Sequence, residues 1–295
     1  MRIIITGGSG FIGKWFVRGF ADEHELIVLG RNRETLIPGV KDSDCTYLQT
    51  DYSTAHLCEL LQGSDAVVHL AAKRTGAEDL ESYWPNMALS YNLFDSCLKT
   101  GIKNVVALST ISVYSPANPL PWSEDQKVSP LTLYGISKVT MENLAEYYNQ
   151  VHNLNIKCLR VAQVLGLYER SGFMLNTFIE KACRQEKLKV YGKGEGRREY
   201  IYVKDVAGAI NKALDDHVPA GIFNIGTGVN ISHLELGNLV NDVFDNKGNL
   251  SLVPGMEEDK SVYLMDISKA ENIMGWIPKW SLVEGLTDIK AIMAG

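Results

Sequence analysis

The stretch "TGGSGFIG", Thr6 to Gly13, follows a β-branched run, "RIIIT" (Arg2 to Thr6). A β-branched run ended by glycines reads as a buried strand, and Gly10 to about Arg18 reads as a helix. Gly8, Gly10 and Gly13 satisfy G-x-G-x-x-G; Gly7, Gly10 and Gly13 satisfy the more open G-x-x-G-x-x-G. Glycines at these places permit a tight strand-to-helix turn and let backbone N–H groups approach a pyrophosphate. The helix N-terminus adds partial positive charge. A plain packing turn would also use glycine, but a strand before and a helix after is the setting a dinucleotide cradle needs. Gly7, Gly10, Phe11, Ile12 and Gly13 are thus candidate cofactor contacts.

Working outward, "ELIVL" (Glu25–Leu29), "CTYLQ" (Cys45–Gln49), "DAVVHLAA" (Asp65–Ala72) and "NVVALST" (Asn104–Thr110) read as further strands, and "IKCLRVAQVLG" (Ile156–Gly166) holds a sixth. Strands alternating with helices predict an α/β fold, a doubly wound parallel sheet of Rossmann type with both faces covered. After about Gly166 the rhythm changes to glycine-containing loops, a helix near Thr177–Gln185 and short strands, which predicts a smaller mixed α/β C-terminal substrate lobe. The division expected is 1–165 with a return segment near 200–228, and 166–199 with 229–295. The Pro-bearing loop Ser115–Pro130 reads as long and structureless, and such loops are often functional.

The chain has 295 residues, 45% apolar and 22% charged, with a formal charge of −6. That is ordinary for a soluble globular protein and argues against nucleic-acid binding. Five scattered cysteines without C-x-x-C read as reduced thiols of a cytoplasmic protein. Six histidines without H-E-x-x-H give no reason to expect a metal. No membrane span and no signal peptide is expected.

The end of the second strand reads "VLGRNR". An NAD enzyme usually places Asp or Glu there for the ribose 2′-hydroxyl. Gly30 stands in that place, and Arg31 and Arg33 follow; two guanidiniums can pair with a 2′-phosphate. Solvated surface arginines are the plainer alternative, and NADP is preferred over NAD. Asp51, past the third strand, is expected to accept from the adenine amino group, with Tyr52 beside it.

Two copies of Y-x-x-x-K compete: "YGISK" (Tyr134–Lys138) and "YIYVK" (Tyr200–Lys204). Tyr134, Ser137, Met141, Leu144, Tyr148 and Val151 recur at helical spacing, so Tyr134 and Lys138 stack one turn apart. A lysine that close can stabilise a tyrosinate, and moving a phenol from about 10 towards 7 needs roughly 4 kcal/mol. "REYIYV" reads as a strand, with Ile201 and Val203 on one face and Tyr200 and Tyr202 on the other, and there i and i+4 lie about 13 Å apart. Spacing therefore selects Tyr134 and Lys138. Ser109 or Thr110, at the carboxyl end of the fifth strand, can hydrogen-bond a substrate hydroxyl beside them.

Together with "HLAA" (His69–Ala72), Asn86 before the next helix, "STISVY", "LRVAQVLG", "VYGKGEGRREYIYVKDVAGAI", "FNIGTG" and "DISKAENIMGWIPKWSLVEGL", these motifs make nearly the whole chain resemble the extended short-chain dehydrogenase/reductase family of NAD(P)-dependent nucleotide-sugar epimerases and dehydratases. The resemblance implies Thr110, Tyr134 and Lys138 as catalytic residues, Lys138 also holding the cofactor ribose. It adds Leu70, Ala71 and Ala72 to the cofactor contacts and Gln163, Val190, Tyr191 and Arg198 to the substrate contacts, with Arg198 on the nucleotide diphosphate and Arg197 beside it. Ile111 and Ser112 stand where the dehydratases carry Asp and Glu, so dehydration is not expected. Gln163 and Glu199 replace the family's Asn and Asp, and the usual Pro-Gly after the sixth strand is missing, which leaves the sugar open.

The implied activity is a 4-epimerase of a UDP-hexose or UDP-N-acetylhexosamine, working through a transient 4-keto sugar. The alternatives are an NADPH-dependent 4-ketoreductase of a nucleotide 4-keto-6-deoxy sugar, and a non-catalytic NADP-binding sensor. A homodimer is expected by analogy only.

Overall fold

The computed structural model describes residues 1–31, 44–74 and 79–294; Arg33 lies outside them. β1 (Arg2–Thr6) turns into α1 (Phe11–Phe20), followed by β2 (Glu25–Gly30), β3 (Thr46–Gln49), α2 (Thr54–Leu60) and β4 (Ala66–His69). Then come α3 (Trp84–Thr100), β5 (Asn104–Thr110), α4 (Leu133–His152), β6 (Asn155–Val161) and β7 (Gln163–Leu165). The rest is α5 (Met174–Cys183), β8 (Leu188–Tyr191), β9 (Arg197–Tyr202), α6 (Val203–Ala213), β10 (Gly221–Ile225), β11 (Asn230–Ser232), α7 (His233–Val243), β12 (Leu250–Val253) and α8 (Leu282–Ala294).

Seven strands form a parallel sheet in the order β3-β2-β1-β4-β5-β6-β10. The order reverses between β1 and β4, the switch point at which open α/β sheets bind ligands. Alternation along the strands feeds two cores. Ile3 and Ile5 join Phe16 and Val17 of α1 and Val206 and Ile210 of α6 on one face. Ile4 joins Leu57, Leu93, Phe94, Met141 and Tyr148 under α2, α3 and α4 on the other. A third core gathers Leu175, Phe178, Leu188, Tyr200, Tyr202, Leu236 and Leu286 from α5, β8, β9, α7 and α8. The small sheets β11-β9-β7 and β12-β8 belong to this part. β10 departs from it and returns to the main sheet beside β6.

Several local expectations shift. Asn86 is the third residue of α3 rather than its prelude; its side chain accepts from Lys73 N and donates to Lys73 O, pinning the loop after β4. The buried face of α4 is Ser137, Lys138, Met141, Glu142, Ala145 and Tyr148, and Val151 is 59% exposed. Periodicity of apolar residues overlooked this face because two of its members are charged and satisfied internally. The loop Ser115–Pro130 has no helix or strand, yet it is anchored. Trp122 is buried against Tyr114 and Tyr263 and exchanges backbone hydrogen bonds with Leu264 and Asp266. No described helix is long and apolar enough to cross a membrane.

Candidate active site

The turn after β1 has the form of an anion cradle. Gly7 has φ +76, and a Cβ there would lie 2.6 Å from Ala71 N. Only glycine meets both demands. Gly10 caps α1 and donates its N–H to Gly7 O at 3.0 Å. Gly7 and Gly10 border two adjoining hollows. One, with Arg31, Tyr47, Tyr52, Leu70, Ala71, Ala72 and Asn86, lies over the ends of β2 and β3. The other, of about 400 Å³, reaches the ends of β5 and β6 and adds Phe11, Ile12, Gly13, Thr110, Tyr134, Lys138 and Gln163. A long two-ended ligand fits this layout, and because a Cβ on Gly13 would lie 2.3 Å from Gly7 O, only glycine lets the helix start pack this tightly on the turn that offers its N–H groups to phosphates. Asp51 stands apart: its carboxylate accepts from Ser53 N at 2.8 Å and lies 3.5 Å from His56 Nδ1.

At the second hollow Thr110 and Ser109 point to different partners. Ser109 donates to Glu142 Oε1 at 2.5 Å inside the protein. Thr110 Oγ1 accepts from Ser112 N at 3.2 Å and lines the cleft. Gly135 lets α4 approach: a Cβ there would lie 2.5 Å from Ser112 O. Tyr134 is thereby carried to the same wall as Thr110. Lys138 Nζ donates to Leu108 O at 2.6 Å, and burial draws its pKa down to about 8. Burial pushes Tyr134 up, and the cations pulling it back are Arg74 and Arg170.

Those arginines were missed by sequence reasoning. Arg74 pairs with Glu169 at 3.3 Å, and Arg170 donates to Arg74 O. Both guanidiniums lie near the Phe173 ring, at 4.3 and 5.4 Å. Arg74, Glu169, Phe173 and Tyr263 line the cleft opposite the glycine turn. The one usable signal was the charged pair "ER" in the loop after β7.

The remaining substrate candidates separate. Gln163 lines the cleft with Tyr134. Val190, buried, and Tyr191, half-exposed, border a neighbouring hollow with Lys181, His233 and Asp259. Arg198 is fully engaged: it donates to Arg197 O and Ser261 O at 2.9 and 2.6 Å, pairs with Asp259 and lies 4.2 Å from the Tyr263 ring centre. Glu258 accepts from the backbone N–H groups of Lys193, Glu195 and Gly196. Two carboxylates of the 257–259 segment thus sit on donors that suit phosphate oxygens.

The second Y-x-x-x-K fails for a sharper reason than strand spacing. β9 stops at Tyr202, and Lys204 belongs to α6, pairing with Asp288 at 2.7 Å. Val203, expected opposite Tyr200 and Tyr202, shares their core because the helix begins there. The Tyr200 hydroxyl is buried without a hydrogen-bond partner. Removing it relieves a desolvated group, so Tyr200→Phe should leave turnover within about twofold and stability unchanged or higher by up to ~1 kcal/mol. A large loss of turnover in a folded Tyr200→Phe protein would assign the chemistry to the wrong tyrosine.

The NAD dependent epimerase/dehydratase family model matches residues 3–226. An uncharacterized UDP-glucose epimerase of Bacillus subtilis (strain 168) is 28% identical over 98% of this chain and 96% of its own length. A UDP-N-acetylglucosamine 4-epimerase from Bacillus cereus is 33% identical, with a TM-score of 0.92 over 100% of this chain and 97% of its own. The dTDP-glucose 4,6-dehydratase of Streptomyces venezuelae, solved with NAD, is 26% identical, with a TM-score of 0.85 over 98% of this chain and 95% of its own. With the family model covering residues 3–226, the chain belongs to the NAD dependent epimerase/dehydratase family.

Proposed function

We propose that this protein is a nucleotide-sugar epimerase acting at C4 of a UDP-hexose or UDP-N-acetylhexosamine through a transient 4-keto sugar. The observation that carries the reading is the single cleft in which Thr110, Tyr134 and Gln163 face the glycine turn. When bound, a nicotinamide dinucleotide supplies reversible two-electron oxidation of a sugar carbinol carbon. Gly7, Gly10, Phe11, Ile12, Gly13, Arg31, Tyr52, Leu70, Ala71, Ala72 and Lys138 would hold it. Tyr134 takes the proton of the 4-hydroxyl and later returns it, and Thr110 orients that hydroxyl. Arg74 and Arg170 make the tyrosinate easier to form. Gln163, Val190, Tyr191 and Arg198 contact the nucleotide sugar, its diphosphate displacing Asp259 from Arg198. Ile111 and Ser112 bring no carboxylic acid to the cleft, which disfavours dehydration.

The cofactor reading is NADP, because Gly30 and Arg31 offer the ribose no carboxylate and one guanidinium. That same feature favours a second reading, a 4-ketoreductase that consumes NADPH. The exposed aromatics Trp84, Tyr91 and Tyr147 on α3 and α4 support a homodimer, and the cytoplasm suits the reduced thiols. Incubation with UDP-N-acetylglucosamine and no added cofactor should yield the galacto epimer. No epimer across a panel of UDP-hexoses, with NADPH consumed by a 4-keto-6-deoxy nucleotide sugar, would replace the epimerase by the reductase.

A further inference from the structure

The end of β2 is closed by a side chain from the neighbouring strand. β2 and β3 pair in parallel with Val28 opposite Tyr47 and Gly30 opposite Gln49. Side chains of a strand alternate between faces, so Val28, Gly30 and Tyr47 share one. It is the face beneath the glycine turn, because a Cβ on Gly8 would touch Val28. From there the Tyr47 phenol runs toward Gly30. A Cβ built on Gly30 would lie 1.8 Å from the Tyr47 hydroxyl oxygen and 2.8 Å from Cζ. The first atom of any side chain at position 30 would thus meet the phenol.

Position 30 ends the second strand, where a dinucleotide-binding fold presents the acid that holds an unphosphorylated ribose. Tyr47 borders the same hollow as Gly30, Arg31 and Tyr52. The Tyr52 hydroxyl donates to Leu29 O at 2.9 Å, Gln49 Nε2 donates to Arg31 O at 2.9 Å, and the Arg31 guanidinium lies 6.0 Å from the Tyr52 ring centre. This end of the cleft is therefore built from two phenols and a guanidinium. The Tyr52 proton goes to Leu29 O, so the donors to a phosphate oxygen at this end would be the Tyr47 hydroxyl and the Arg31 guanidinium, whereas a carboxylate would repel it.

We propose that Tyr47 is a specificity-determining residue: its phenol occupies the place of the ribose-binding carboxylate, keeps position 30 free of a side chain and turns the cleft toward a 2′-phosphorylated dinucleotide. The proposal rests on the NADP reading above. It goes beyond it by naming a residue on the adjacent strand and by making two positions interdependent.

A double-mutant cycle on the full chain tests it, with NAD and NADP binding followed by calorimetry and thermal unfolding measured without cofactor. Gly30→Asp alone must expel the phenol. It should lower the melting temperature and improve NAD binding less than threefold. Gly30→Asp with Tyr47→Ala should recover melting temperature and bind NAD at least tenfold more tightly than Gly30→Asp. Tyr47→Phe, which keeps the ring, should narrow the NADP-over-NAD preference about fivefold or more. Additive effects of Gly30→Asp and Tyr47→Ala would overturn the proposal, as would an unchanged preference in Tyr47→Phe. If the single Gly30→Asp chain does not fold, the Tyr47→Phe ratio decides. The wild-type ratio reports on the NADP reading separately: equal binding of both cofactors overturns that reading, while the cycle still reports whether Tyr47 holds the acid's place.

Discussion

Tyr134→Phe should lower turnover about 10²- to 10⁴-fold, the range for removing a positioned acid–base group, while dinucleotide binding stays within a few-fold. The phenol and Thr110 line one cleft with Lys138 and Glu169, and in the proposed reaction Tyr134 is the group that takes and returns the proton. Burial opposes that ionisation and Arg74 and Arg170 assist it. Single-turnover rates and cofactor calorimetry on the same preparation separate the two effects. Turnover within tenfold of wild type would sink the assignment, whichever substrate is used.

The second large effect is on stability. Glu142 and Arg160, each 3% exposed, meet through Oε2–Nη2 at 2.7 Å and Oε1–Nε at 3.0 Å. Ser109 donates to the same carboxylate; Arg160 donates to the Tyr114 hydroxyl, which donates to Asn224. Glu142→Leu would leave a buried guanidinium without its counter-charge, a loss of about 3–5 kcal/mol. For a chain of this size that is on the order of 10 °C in melting temperature. The double variant Glu142→Leu with Arg160→Met should recover most of it, because both charges then leave together. A single Glu142→Leu variant that loses under about 1 kcal/mol by denaturant titration would mean the pair is solvated rather than buried.

The main sheet was legible because it is written in short-range signals. "RIIIT", "ELIVL" and "NVVALST" carry apolar residues on both faces, and the glycines after Thr6 can make only a few kinds of turn. The helical placement of "YGISK" was legible for the same reason, since it needed only the period of one helix. What sequence did not disclose depends on residues far apart in the chain. Arg74 meets Glu169 across 95 positions, and Arg198 meets Asp259 across 61. Tyr47 reaches Gly30 from another strand, so the missing acid was visible and its replacement was not. The charged face of α4 escaped a search for apolar periodicity because Lys138 and Glu142 find their partners on β5 and β6. Such pairings follow from register and packing, which local composition does not encode.

The return of β10 to the main sheet has a consequence for synthesis on the ribosome. β6 gains its second neighbour only from Gly221–Ile225, after an excursion through α5, β8, β9 and α6 that begins a third core finished only by α7 and α8. A nascent chain that has emerged through β6 presents an unpaired, apolar strand edge of the kind that invites association with other chains. Phe223 and Ile225 join that side of the first core late, and Met265, Ala270, Met274 and Trp276 follow them. The chain therefore cannot complete its cofactor half first and append the rest. Emergence of Gly221–Ile225 is the event that closes the sheet, and the cores on either side of it wait for residues beyond.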